Sequence, residues 1–179
     1  MDECPFADRI EERLHLGDIK ALYALGGLEP EEQKEWCVVS AVEGLYALTT
    51  MTCDGFDAHL YINIPDEVDQ DISVHFEKVN AFIVSALTRG KSVLVHCLAG
   101  ISRSATLVCA HLVIKHGIDD AEALAIVRKA RPCIGPNFSF RRQLRELAAK
   151  RSALPPPPPP PIISAEQDST APPHVPVDH

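Results

Sequence analysis

Apolar residues recur along this chain with two periods, and the switches between them mark out its elements. Trp36-Cys37-Val38-Val39-Ser40-Ala41-Val42 is a nearly unbroken apolar run with β-branched residues, which predicts a core strand in which Trp36 packs. Ala58 to Pro65 alternates apolar and polar residues and stops at a proline, predicting the next strand. From Ile72 the apolar positions are Ile72, Phe76, Val79, Phe82, Ile83, Ala86 and Leu87. Steps of three and four predict an amphipathic helix ended by Arg89-Gly90. Lys91 to Val95 then reads as a buried parallel strand, and Ala105 to Ile114, apolar on nearly every side, as a buried helix. Asp119 with Glu122 suggests a capping box for a helix through Ala130, closed by Arg131-Pro132. Pro136-Asn137 opens a last helix with Phe140, Leu144 and Leu147 on one face.

Nearer the start, Arg9 to Gly17 reads as one strand ending in a turn at Gly17-Asp18. Ile19 to Leu25 predicts a short helix stopped by Gly26-Gly27, and Glu29 to Glu35 a solvated helix or loop. The strand–helix–strand order from Ala58 to Val95 is a crossover typical of a parallel sheet. The expected fold class is therefore α/β, a central and mostly parallel sheet with helices on both faces.

At Leu154 the pattern ends. Seven prolines, Pro155 to Pro161, are followed by Ser, Thr, Asp, Pro and His, which predicts a polyproline II stretch and a disordered tail. The domain expectation is one globular unit over residues 1–151 and a proline-rich tail over 152–179. With 179 residues, 46% of them apolar, one domain with a real core is expected. A net charge of −8 argues against nucleic acid and anionic membrane as partners, because an extended phosphate surface calls for a basic face. No apolar run approaches the roughly 20 residues of a membrane span. The start, Met1-Asp2-Glu3-Cys4-Pro5, lacks a signal-peptide pattern and a glycine for myristoylation. The six cysteines show no C-x-x-C pairing, so neither zinc nor a disulfide framework is expected. Reduced thiols in the cytoplasm or nucleus are the expectation.

The chemistry concentrates where the strand at 91–95 meets the helix at 105–114, in His96-Cys97-Leu98-Ala99-Gly100-Ile101-Ser102-Arg103-Ser104. A strand-to-helix turn presents free N–H groups and the positive end of a helix dipole, and so binds anions. Cys97 sits where converging amides and a cation favour thiolate; such sites lower a cysteine pKa from about 8.5 to roughly 3.5–7.5. Arg103 can grip two phosphate oxygens with its planar fork. Gly100 permits a positive φ, so that successive amides face inward. A buried cysteine after a strand is most often an inert small hydrophobe. That reading leaves unexplained why Arg103 and Ser104 open an apolar helix, where a buried cation needs a partner.

His-Cys-x5-Arg-Ser is similar to the signature of Cys-dependent protein phosphatases, and this version resembles the dual-specificity branch that includes the MAP kinase phosphatases. The resemblance runs from about Ile10 to Lys150. It implies a protein-tyrosine-phosphatase-like fold, no metal or other cofactor, and a phospho-cysteine intermediate on Cys97. Leu98, Ala99, Gly100, Ile101, Ser102 and Arg103 would bind the phosphate. Ser104 would help the thiol leave during hydrolysis, and His96 would orient the loop and tune the thiol. The remaining histidines, His59 and His111 among them, read as structural or as tail residues. Asn137 either braces the loop or merely starts its helix.

Such chemistry needs a general acid to protonate the leaving oxygen. The acidic segment offers Asp66, Glu67, Asp69 and Asp71. The family places its acid six positions before the apolar residue that opens the next helix, which here is Ile72 and gives Asp66, 31 positions before Cys97. Relatives carry two further residues after the proline, and Pro65 adjoins Asp66 here, which leaves Asp69 as the alternative. Asp71 suits an N-cap for the helix from Ile72.

Phosphoinositide-binding relatives carry lysines beside the cysteine, whereas Leu98, Ala99 and Ile101 stand here, which favours phosphoprotein esters of tyrosine and of serine or threonine. A protein kinase is an allowed but unsupported substrate, with no room for the extra kinase-docking domain of MAP kinase phosphatases. Two other classes compete: a pseudophosphatase that captures phosphoproteins without turnover, and a sulfur-transfer protein. The first is expected to lack Cys97, Arg103 or the acid, and the second lacks the Arg-Ser ending. The prolines at 155–161 suit an SH3, EVH1 or profilin-type groove, against the blander alternative of a passive tail.

Overall fold

A computed structural model describes residues 6–44 and 55–153. In chain order these form β1 (Ala7–Glu11), β2 (Leu14–Gly17), α1 (Ile19–Gly26), α2 (Pro30–Gln33), β3 (Trp36–Val42), β4 (Ala58–Asn63), a 3-10 turn (Ser73–His75), α3 (Phe76–Thr88), β5 (Ser92–His96), α4 (Arg103–His116), α5 (Asp120–Ala130) and α6 (Phe138–Ser152). Ser152 and Ala153, expected to open the proline-rich tail, instead complete and cap α6, because the helix runs on past Arg151 before the prolines begin. The rest of the expected tail, from residue 154, lies outside the described residues.

The strands form one sheet in the order β1-β2-β5-β3-β4. β2, β5, β3 and β4 run parallel, and β1 adds antiparallel to β2 at one edge. Helices cover both faces, as the strand sequences require. In β3, Cys37, Val39 and Ala41 join the larger core while Trp36 and Val38 join the smaller one; in β5, Val93 and Val95 face the first and Leu94 the second. Strand side chains alternate, so a strand buried on both faces must be apolar at every position. The smaller core is closed by Ala21, Leu22 and Leu25 of α1, and the larger by Val79, Ile83, Val108, Leu112, Leu124 and Leu144 of α3 to α6.

The single strand expected over Arg9–Gly17 is instead a hairpin. Arg13 adopts φ +61° between β1 and β2, and the chain reverses there without a glycine. A non-glycine residue with positive φ leaves no turn signature in the sequence. The helix expected from Ile72 opens with the 3-10 turn, and Asp71 Oδ1 accepts from the Ser73 amide at 3.0 Å and the Ser73 hydroxyl at 2.6 Å. Of the capping box at α5, the Asp119 half is present: its side chain accepts from the Glu122 amide at 2.8 Å.

α4 is the centre of the molecule. Every residue from Arg103 to Val113 is buried. The helix ends at Gly117, whose φ of +67° supplies the left-handed cap that an L side chain resists. Truncating Leu107 or Leu112 to Ala is expected to cost about 2–5 kcal/mol.

Candidate active site

Three segments that are distant in sequence meet at the N-terminus of α4. β5 delivers His96, the loop at 97–102 delivers Cys97, and the first turn of α4 delivers Arg103 and Ser104. The β4–α3 connection brings Asp66, and the start of α6 brings Asn137.

The loop is held by a backbone contact that only glycine permits. Gly100 has φ +66°, and a Cβ there would lie 2.7 Å from the carbonyl oxygen of Gly17. Arg131 braces the same residue from outside: its Nε donates to the Gly100 carbonyl at 2.9 Å, and its Nη1 donates to Asp8 Oδ2 at 2.7 Å. In the sequence Arg131 reads as a helix end and, with Pro132, resembles the family's C-terminal pattern. Its brace against Gly100 is not legible there, because its partner Asp8 in β1 is remote in the chain.

Cys97 is buried, and its Sγ accepts from the Gly100 amide and the Ser104 hydroxyl, each at 3.2 Å. Burial by itself pushes this thiol up. The Ser104 hydroxyl and amide, the Arg103 charge and the Ile101 amide outweigh it, so the thiol is held below its ordinary value. Burial, with the Asp57 carboxylate beside it, pushes Cys37 up to about 11 against the Arg89 guanidinium, and burial pushes Cys109 up to about 12; both are unlike Cys97.

His96 lies on the far side of the loop, fully buried, with Nδ1 3.2 Å from the Cys97 carbonyl oxygen and Nε2 2.6 Å from Ser40 Oγ. Burial lowers it to about 4, against the raising influence of its hydrogen bond to Cys97 and of Asp18, so it is neutral at pH 7.

Arg103 is 8% exposed. Its Nη1 donates to the Ile64 carbonyl at 3.1 Å, its Nε stands 3.8 Å from Asp66 Oδ2, and that Nε has no hydrogen-bond partner. A buried guanidinium with an unfilled donor is suited to an incoming anion.

Asp66 hangs over the loop. Its Oδ1 accepts from Ser102 Oγ at 2.7 Å and from Asn137 Nδ2 at 2.9 Å. Asn137 serves twice, since its Oδ1 also accepts the Phe140 amide at 3.0 Å as the N-cap of α6. The two roles weighed for it are therefore one arrangement. Asp69 takes no part: its side chain accepts from its neighbour Gln70 in an exposed turn. The geometry thus brings together Cys97, Arg103, Ser104, His96 and Asp66, and leaves Asp69 outside. Leu98 and Ile101 of the loop are exposed, as is Phe138 at the start of α6.

The arrangement can hold a tetrahedral oxyanion against inward-facing amides, attack it with sulfur and donate a proton from the opposite side. Among the described residues, no group of three or more His, Cys, Asp or Glu stands close enough to hold a metal ion, and no helix is long and apolar enough to cross a membrane.

Known proteins share both the sequence pattern and the fold. Tyrosine-protein phosphatase yvh1 of Schizosaccharomyces pombe is 48% identical over 87 residues, 49% of this chain and 26% of the yeast protein. Dual specificity protein phosphatase 1 of Arabidopsis thaliana is 36% identical over 138 residues, 77% of this chain and 67% of the plant protein. The chain thus spans only about a quarter of the length of the yeast relative. The crystal structure of human DUSP28 superposes with a TM-score of 0.70 at 27% identity, covering 83% of this chain and 97% of that one. A family model described as the dual specificity phosphatase catalytic domain matches residues 38–150, and the chain belongs to that family.

Proposed function

We propose that this protein is a metal-independent protein phosphatase, hydrolysing phosphotyrosine and phosphoserine or phosphothreonine esters through a phospho-cysteine intermediate. One observation carries the reading: the Sγ of Cys97 accepts hydrogen bonds from Gly100 and Ser104 inside a loop closed by Arg103.

In the first step the thiolate of Cys97 attacks phosphorus while the loop amides and Arg103 hold the non-bridging oxygens. The P–O bond to the leaving group breaks, and Asp66 transfers its proton to the departing oxygen. In the second step water attacks the phospho-cysteine, the Asp66 carboxylate takes a proton from that water, and the P–S bond breaks. The departing sulfur carries away the electron pair, and the Ser104 hydroxyl steadies it as thiolate. His96 stays neutral throughout and holds the Cys97 backbone.

The absence of lysine at 98, 99 and 101 supports phosphoprotein over inositol lipid as substrate. A role in signalling, which the family resemblance supports, belongs to the same proposal, as do a place in the cytoplasm or nucleus, which the unpaired cysteines support, and a proline-rich tail that docks an SH3- or EVH1-type groove. Capture without turnover fits poorly with nucleophile, cation and acid standing together.

The test is phosphate release from para-nitrophenyl phosphate and from phosphotyrosine, phosphoserine and phosphothreonine peptides. Turnover should vanish in Cys97→Ser while phosphopeptide binding persists, because a serine hydroxyl stays un-ionised and the amides with Arg103 still hold the phosphate. Binding without release in the wild type would favour the pseudophosphatase, and retention of more than a few per cent of turnover by Cys97→Ser would remove Cys97 as nucleophile.

A further inference from the structure

The side chains behind the catalytic loop form a second, buried assembly. Ser40 of β3 and His96 of β5 are register partners, so their side chains meet on one face of the sheet. Ser40 Oγ lies 2.6 Å from His96 Nε2 and 2.7 Å from His59 Nε2. His59 comes from β4, stacked on Tyr61 at a centroid distance of 3.9 Å and met edge-on by Phe56. Gly17 of β2 is the register partner of His96 on its other side, and it brings no side chain to compete.

The polarity of this chain has one solution. The Cys97 carbonyl only accepts, so the neutral His96 must carry its proton on Nδ1. Its Nε2 is then an acceptor and takes the Ser40 hydroxyl proton. Ser40 oxygen, its proton committed, receives the Nε2 proton of His59, whose Nδ1 is left bare; that buried nitrogen indeed has no partner. Reversing the direction would set a bare Nδ1 lone pair of His96 against the Cys97 carbonyl.

We propose that Ser40 and His59 are positioning residues for the phosphoryl-transfer loop, locking His96 in the tautomer that holds the Cys97 carbonyl. In a trans peptide the C=O and the following N–H point in opposite directions, so fixing that carbonyl fixes the direction of the Leu98 amide. The active-site loop thereby gains support from two strands, on the reading of Cys97 as a thiolate nucleophile. Burial lowers both imidazoles to about 4, and the charged groups that bear on them are few: Asp18 on His96, and His96 on His59.

Three measurements on the full chain test it. Ser40→Ala should raise the pH midpoint for iodoacetate alkylation of Cys97 by about 0.5–1 unit, the size of one hydrogen bond, and lower kcat for para-nitrophenyl phosphate about 3- to 10-fold with KM little changed. His59→Phe keeps the ring stacked on Tyr61 and removes the donor, and should move the alkylation midpoint in the same direction by less. Imidazole nitrogen NMR should find the His96 proton on Nδ1 in the wild type and distributed over both nitrogens in Ser40→Ala. The proposal is overturned if wild-type His96 carries its proton on Nε2. It is equally overturned if both variants keep the wild-type alkylation profile, whatever happens to their melting temperatures. Alkylation and NMR need no turnover, so an inactive wild type would sink the phosphatase reading and leave this one standing on its own measurements.

Discussion

The Ser102 hydroxyl donates to Asp66 Oδ1 at 2.7 Å, so the residue proposed as general acid is suspended from the loop that would hold the phosphate. The carboxyl is carried by an exposed connection, yet its position is set by the same turn that positions Cys97.

Asp66→Asn should cut turnover by roughly 10²–10⁴ for an alkyl phosphate and by much less for an aryl phosphate whose leaving group needs no proton. The fall in activity at high pH should flatten as well. Asp69→Asn should stay within about twofold of wild type, since its side chain accepts from Gln70 in an exposed turn away from the loop. Profiles of kcat against pH for both variants decide the matter; a flattened limb in Asp69→Asn alone would transfer the role.

Asn137→Asp separates the two roles of that residue. The new carboxylate can still accept the Phe140 amide and cap α6, so the melting temperature should hold within a few degrees. Placed against Asp66, it should move the basic limb of the rate profile to higher pH, because two adjacent carboxylates resist sharing negative charge. Asn137→Ala should instead lose about 1 kcal/mol of stability with the cap. An unchanged limb in Asn137→Asp would show that the Asp66 contact does not survive in solution.

Arg103→Lys should be impaired about as severely as a lost oxyanion donor, 10²-fold or more in kcat. Lysine keeps the charge and loses the planar two-point grip, together with the reach to the Ile64 carbonyl. Near-normal kinetics on para-nitrophenyl phosphate would mean that charge alone suffices.

Acid should unfold this protein early. His59, His96 and His111 are each lowered by burial from an ordinary 6.5 to about 4. The folded state therefore keeps them neutral while the unfolded chain takes up protons below pH 6.5. Stability that is intact above that pH is lost progressively as the pH falls toward 4. Melting temperature against pH should fall through this window. His111→Gln, which removes one of the three titrating rings, should make the descent shallower, and an equal slope in that variant would refute the assignment.

What the sequence revealed follows from how local each signal is. The anion site is nine consecutive residues between a strand and a helix, so Cys97, Arg103 and Ser104 could be read directly. The parallel sheet followed from runs such as Trp36–Val42 that are apolar at every position. Asp66 was reached through spacing to Ile72, and its clamp by Ser102 and Asn137 was not, because those contacts span 36 and 71 positions. Ser40 and His59 gave no signal at all: a serine in an apolar strand and a histidine in an alternating one acquire meaning only when register places them beside His96. The β1–β2 hairpin was missed for a different reason, since Arg13 takes a conformation that its residue type does not announce.

The unbroken burial of α4 from Arg103 to Val113 has a thermodynamic reading. A helical stretch with no exposed residue from Arg103 to Val113 opens only when the whole domain opens, so its amides should show protection near the global unfolding free energy, the highest in the molecule. The proposed phosphate loop runs directly into the first turn of that helix at Arg103. No partly folded form of this chain would keep an affinity for oxyanions, and vanadate or phosphate should raise the melting temperature in proportion to its binding. Catalytic competence and global cooperativity are, in this architecture, read from the same turn of backbone.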